Sequence, residues 1–182
     1  MKSALIVIDV QQSFHHRPYW RDDGATTFLS HIQKLIDRCQ ARGVPVLQVF
    51  HEEPVGVFSR TSGLVKAWDN LRISATDVFY KDVHSALFAR NSSGVTLEAW
   101  LRFHDVEHVI VTGIRTEQCC ETTTRHASDS GFKVTYALDA TLTFPMVAKS
   151  GRTYTPAEIM ERTELVLQDR FAQVVSAEAV AV

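Results

Sequence analysis

The stretch Val109 to Thr124, VIVTGIRTEQCCETTT, decides how the fold is read. A β-branched apolar run of strand length reaches Gly113, which allows a tight exit, and Thr116 stands where a helix N-cap is expected. The stretch reads as a buried strand, a sharp turn and the first turn of a helix that continues to about Ser130–Gly131, with Cys119 where that helix begins. On a helix, neighbouring side chains diverge by about 100°. One of Cys119 and Cys120 therefore faces away from any site, and Cys120 is read as packing. A vicinal metal or redox pair is the rival reading, and adjacent cysteines fit no common zinc spacing.

Working outward, the same pattern of a buried run followed by a polar residue recurs. Ala4 to Ile8 (ALIVI) is a strand of the type covered on both faces, and Asp9 follows it. Asp9 is read either as a strand-end acid capping nearby backbone or as an acid at the carboxyl edge of a central strand, where α/β proteins place their sites. Val44 to Phe50 is a second strand with His51 and Glu52 at its end. Asp77 to Tyr80 is a third, and Lys81 follows it. A surface lysine is the default for any single lysine, but this one has the placement of Asp9. His108 to Thr112, Lys133 to Leu138 and Phe171 to Val175 complete six strands.

Helices alternate with these strands. Phe28, Ile32, Leu35, Ile36 and Cys39 are spaced as one helix face, with Gly43 as a stop. That stripe assigns Cys39 to the core. Thr96–Phe103 is a helix with Leu97, Trp100 and Leu101 inward. Thr155-Pro156-Ala157-Glu158 combines a capping box with proline at the first helical position. The loop Gln11 to Asp23 carries Phe14, Tyr19, Trp20, His15, His16 and Arg17. Its aromatics can wall a pocket or pack on a partner subunit, and adjacent histidines are not spaced as a metal pair. Residues 51–76 lack periodicity, which marks a functional loop or short helices.

Bulk properties narrow the class. The chain has 182 residues, 45% of them hydrophobic and 22% charged, which fits one domain, residues 1–182, of an ordinary globular protein. A net charge of −2 gives no electrostatic case for nucleic acid or an anionic membrane. MKSALIVIDV runs into an acid rather than a cleavage site and reads as a strand, not a signal peptide. No apolar run is long enough to span a bilayer. Cys39, Cys119 and Cys120 are an odd set with no disulfide pattern, so a cytoplasmic setting is expected. Neither a GxGxxG turn nor a P-loop is present, and no cofactor or metal is expected.

The alternation argues for an α/β fold, a three-layer doubly wound parallel sheet with helices on both faces. With the Rossmann-like order 3-2-1-4-5-6, strands one and four flank the crevice where strand order reverses. Asp9 and Cys119 then face each other, and Lys81 reaches in from strand three. A helix N-terminus and an ammonium both favour a thiolate. A carboxylate can take the thiol proton and later return it to a leaving group. Backbone N–H groups around residues 115 to 119 can hold an oxyanion.

The segments IVIDVQQSF (6–14), YKDVHSALF (80–88) and VTGIRTEQCCETTTRHASDSGFKVTYALDA (111–140) resemble the isochorismatase-like cysteine hydrolases, in order and over nearly the whole chain. The resemblance implies a six-stranded parallel sheet and an Asp-Lys-Cys triad. Asp9 would be the general base, Lys81 would polarise and stabilise the thiolate, and Cys119 would attack. It also implies a cis peptide at Ile114–Arg115 that aims the N–H groups of Arg115 and Cys119 at one oxyanion position. Cys120 stands where the family usually has valine. Arg115 stands where a small residue is common; it reaches a substrate carboxylate or makes a subunit contact. Metal-binding members resembling nicotinamidase carry Asp-x-His plus a further His after the second strand, and FHEEP here lacks that motif.

The expected activity is hydrolysis of a small amide or carbamoyl compound through a thioester. One alternative is isochorismatase-type vinyl-ether hydrolysis, which needs no cysteine nucleophile. Another, of a different class, is a flavodoxin-like binding or assembly module. The expected partners are a small-molecule substrate and further copies of the chain, since family members are usually oligomeric. Gln11, Phe14, Trp20 and His51 are the candidate pocket residues.

Overall fold

A computed structural model of residues 1–182 contains one six-stranded parallel sheet. Its strands are β1 (Ser3–Ile8), β2 (Val46–His51), β3 (Asp77–Lys81), β4 (His108–Ile114), β5 (Lys133–Leu142) and, after a two-stranded hairpin of β6 (Met146–Val147) and β7 (Thr153–Tyr154), β8 (Gln173–Val175). The sheet order is β3-β2-β1-β4-β5-β8, which is the expected 3-2-1-4-5-6 once the hairpin is set aside. β1 and β4 are central, and every residue of β4 is buried. Continuous apolar runs such as ALIVI and HVIVT occupy these positions because both sheet faces are covered.

Side chains alternate along β1 as a pleated strand requires. Leu5 and Val7 join the core on one face together with Phe28, Ile32, Leu35 and Ile36 of α1 (Ala25–Ala41). Ala4, Ile6 and Ile8 join the core on the other face. That second face is covered by α2 (Leu97–Phe103), α3 (Glu121–Asp129) and α4 (Pro156–Leu167) through Leu97, Leu101, Ala127 and Leu167. Cys39 is fully buried on the α1 stripe, and burial pushes its thiol up to about 11. α2 is capped by Thr96, and α4 by the Thr155–Glu158 box with Pro156 at its start. No helix is long and apolar enough to cross a membrane.

Two local expectations are corrected. Thr116 is not a helix cap: its hydroxyl meets Thr141 Oγ1 at 2.8 Å, and Thr116–Cys120 forms a π-helical turn before α3 starts at Glu121. β5 does not end at Leu138 but continues to Leu142 through an irregularity. Val111 pairs with Tyr136 and Gly113 with Thr141, so three extra residues of β5 bulge out. Asp139 lies in that bulge, where Oδ1 accepts from Ala177 N–H at 2.5 Å and Oδ2 lies 3.2 Å from His31 Nδ1. Of the segment expected to be a loop or to hold short helices, residues 51–76, His51 closes β2, and the rest is irregular chain with one short 3-10 turn, Arg60–Ser62, and a bridge from Ala67 back to Gln11.

Candidate active site

Sheet order brings three strand ends together. β1 ends at Ile8 and is followed by Asp9, whose φ of 55° is left-handed, a conformation aspartate tolerates better than most residues. This turns the chain sharply at the sheet edge. Beneath it, β1 and β4 approach so closely that a Cβ on Gly113 would lie 2.0 Å from Ile8 O. Glycine at 113, with φ of 126°, is therefore a requirement of the β1–β4 contact and not only of the strand exit. The Ile114–Arg115 peptide is cis.

The turn carrying Cys119 is held by hydroxyls from two sides. From β5, Tyr136 Oη donates to Thr116 O at 2.8 Å. Thr143 Oγ1 donates to Glu117 Oε2 at 2.6 Å. From α3, Thr123 Oγ1 donates to Cys119 O at 2.6 Å and accepts from Ala86 N–H at 2.9 Å. Thr123 thus ties the cysteine turn to the loop that follows Lys81.

Within this frame Lys81 Nζ donates to Asp9 Oδ2 at 2.7 Å and approaches Cys119 Sγ at 3.4 Å. The Asp9 and Lys81 side chains have no exposed surface, whereas Cys119 retains 8%. Asp9 Oδ1 is buried with no hydrogen-bond partner. Cys120 is fully buried and packs into the same core as α3. Burial, and then the charge of Cys119, raise its thiol well above the ordinary range.

The electrostatics differ from the simple thiolate expected at a helix start. Burial pushes the Cys119 thiol up to about 12, Asp9 adds to the rise, and Lys81 opposes it without overcoming it. Burial likewise works against the Lys81 ammonium, but Asp9 and Cys119 outweigh it and hold its pKa above the usual lysine value. Burial thus favours the thiol form of Cys119 beside the closed Asp9–Lys81 pair.

The other predicted residues separate. Gln11 does not line an open pocket. It is fully buried, its Nε2 donates to His51 O at 3.0 Å and its Oε1 accepts from His51 N–H at 2.8 Å, so it clamps the end of β2. Phe14 is also buried, edge-on to Phe58 at 5.1 Å. Trp20 packs against Trp68 and Phe144 at 5.5 and 5.3 Å. His51 pairs in register with Lys81, and its Nδ1 is buried without a partner. Burial, then Lys81, lower its pKa.

Arg115 is engaged within the chain. It lies 2.8 Å from Glu117 and 4.8 Å from the Tyr19 ring centroid, so its guanidinium is neither extended to solvent nor free of a counter-charge. No group of three or more His, Cys, Asp or Glu side chains is clustered so as to hold a metal ion. One side chain at the site was not singled out from sequence: His84 Nδ1 lies 4.0 Å from Cys119 Sγ. Its position three residues after Lys81, in the same loop, was the available signal.

Comparison with known proteins adds a family context. The Isochorismatase domain model matches residues 3–179. The isochorismatase family protein YrdC of Bacillus subtilis is 27% identical, over 96% of this chain and 92% of its own. Nicotinamidase 3 of Arabidopsis thaliana is 30% identical, over 78% of this chain and 74% of its own. A crystal structure of an isochorismatase-family protein from Burkholderia xenovorans superposes with a TM-score of 0.83 at 32% identity, covering 97% of this chain and 84% of that one.

Proposed function

Since this chain belongs to the isochorismatase family, we propose that its hydrolase activity cleaves the C–N bond of a small amide or carbamoyl compound through a thioester on Cys119. The observation that carries this reading is the unbroken contact from Asp9 Oδ2 through Lys81 Nζ to Cys119 Sγ, at 2.7 and 3.4 Å. A vinyl-ether hydrolysis by acid chemistry has no use for a thiol in that position. The similarity to a protein named for an amidase activity, Nicotinamidase 3, supports the same bond class.

In this reading the substrate carbonyl meets Sγ from its exposed side. Because burial favours the thiol form, the proton moves to Asp9 Oδ1 as the S–C bond forms, general-base help worth about 10²–10⁴-fold in rate. Lys81 offsets the negative charge passing between Asp9 and sulfur. The N–H groups of Arg115 and Cys119 donate to the oxyanion. The adduct then expels the nitrogen, which takes the proton from Asp9, and water cleaves the thioester to an acid and the free thiol.

The test is ammonia release from a panel of small amides, ureido acids and nicotinamide, with Cys119→Ala as control. Release by the parent and not by the variant supports the reading. A Cys119→Ala protein that still hydrolyses a vinyl ether, with no amide turnover by either form, replaces it with the ether reaction. A parent silent on the panel, whose Cys119 also takes up no acyl group from an activated ester, removes the triad and favours the binding-module reading.

A further inference from the structure

We propose that His84 is the general base of the second half-reaction, taking a proton from the water that cleaves the Cys119 thioester. The inference rests on the thioester reading above and deepens it. Three polar side chains contact or approach the sulfur, and they divide by exposure. Asp9 and Lys81 have no exposed side-chain surface and lie on its buried side. His84 is exposed and lies 4.0 Å from Sγ through Nδ1. The acyl group must occupy the open side of the sulfur, and the hydrolytic water must arrive from solvent on that side. The imidazole Nδ1 facing the sulfur is the base on that side.

The loop holding His84 is anchored although the side chain is exposed. Ser85 Oγ lies 2.7 Å from His126 Nδ1, and Ala86 N–H donates to Thr123 Oγ1 at 2.9 Å. Both partners belong to α3, the helix that follows the cysteine turn. The contact between His84 and the sulfur is therefore set by the same element that places the sulfur.

The step balances without a further reactant. Neutral His84, with its proton on Nε2, accepts a proton at Nδ1 from water as the water oxygen bonds to the thioester carbonyl carbon. The tetrahedral adduct collapses with loss of the C–S bond. The departing sulfur takes the proton from Nδ1, its neighbour in the resting site. The acid leaves, and thiol and imidazole are restored. Asp9 handles the proton of the first half-reaction and His84 that of the second.

The experiment treats the parent and His84→Gln with p-nitrophenyl acetate and follows S-acetyl-Cys119 by intact-protein mass, with Cys119→Ala as blank. Both proteins should take up the acetyl group at similar rates. His84→Gln should lose it about tenfold or more slowly, and added imidazole should restore part of the rate in His84→Ala. Equal loss of acetyl from both proteins, or a slow loss that imidazole does not relieve, overturns the assignment of His84 alone. A parent whose Cys119 takes up no acetyl group overturns the thioester reading and this inference with it.

Discussion

Lys81 Nζ lies 2.7 Å from Asp9 Oδ2 with neither side chain exposed, and the same nitrogen stands 3.4 Å from Cys119 Sγ. The ammonium is thus shared between a carboxylate that holds it and a thiol that would gain from it. Burial and Asp9 together leave the thiol at about 12. Removing the carboxylate charge should release Lys81 toward the sulfur. Asp9→Asn is therefore expected to shift the pH midpoint of Cys119 alkylation downward while amide turnover falls by about 10²-fold or more. Iodoacetamide rates against pH, with the labelled peptide identified, test this. An unchanged or raised midpoint in Asp9→Asn would show that Asp9 does not hold the proton on the thiol.

The same pair makes a stability prediction. Taking one member from a buried ion pair leaves the other charged and unpartnered, at a cost of about 3–5 kcal/mol. Lys81→Met should fall in that range by urea unfolding. The Asp9→Asn/Lys81→Met double variant should be clearly more stable than the sum of the two single losses predicts. Additive losses would mean that the two side chains are solvated in solution and do not form the closed pair.

Much of this arrangement was legible in the sequence, because strand runs that end in Asp9, Lys81 and the Cys119 turn carry their own period and length. The expected sheet order rests on the doubly wound pattern that such strand–helix alternation forms, and the sheet has that order once the hairpin is set aside. What escaped was chemistry set by contacts between distant segments. Gln11 is polar, lies two residues after Asp9 and reads as a pocket residue, yet its amide is consumed by the His51 backbone. Thr116 has the identity of a cap, but β5 supplies Thr141 to its hydroxyl. Burial of Cys119 escaped for the same reason: the helix start and the lysine are legible locally, whereas the burial that pushes its thiol up is tertiary.

Gly113 should be intolerant of any side chain. Its Cβ would meet Ile8 O at 2.0 Å and Ile8 C and N at 2.7 Å, all of them backbone atoms, so nothing flexible is there to yield. Gly113→Ala is expected to cost about 3 kcal/mol or more, the upper end of overpacking, and to disturb Asp9, the next residue after Ile8. Gly56→Ala is the control. That glycine also has positive φ, but nothing lies within 4 Å of its Cβ position, so only the backbone penalty of about 1–2 kcal/mol applies. Chemical denaturation of both variants tests the difference, and equal losses would mean that β1 and β4 are not so closely apposed.

His108, at the opposite end of β4, should make the fold sensitive to acid. Its ring is buried, with Nδ1 2.9 Å from Ser3 Oγ and Nε2 2.8 Å from Thr135 Oγ1. Burial, then Lys133 and the N-terminal ammonium, lower its pKa from the ordinary 6.5. The folded protein therefore binds fewer protons here than the unfolded chain. By linkage, its contribution is fully present above pH 6.5 and is lost as pH falls below that value. His15 and His51 are lowered in the same direction, so the parent's slope is a sum of several groups. His108→Gln keeps a side chain able to meet both hydroxyls but cannot titrate, and its stability should decline less steeply than the parent's between pH 7.5 and 5. Urea midpoints for the two proteins across that interval provide the measurement. Parallel declines would place the acid sensitivity elsewhere, with the half-buried His51 beside Lys81 as the next residue to replace.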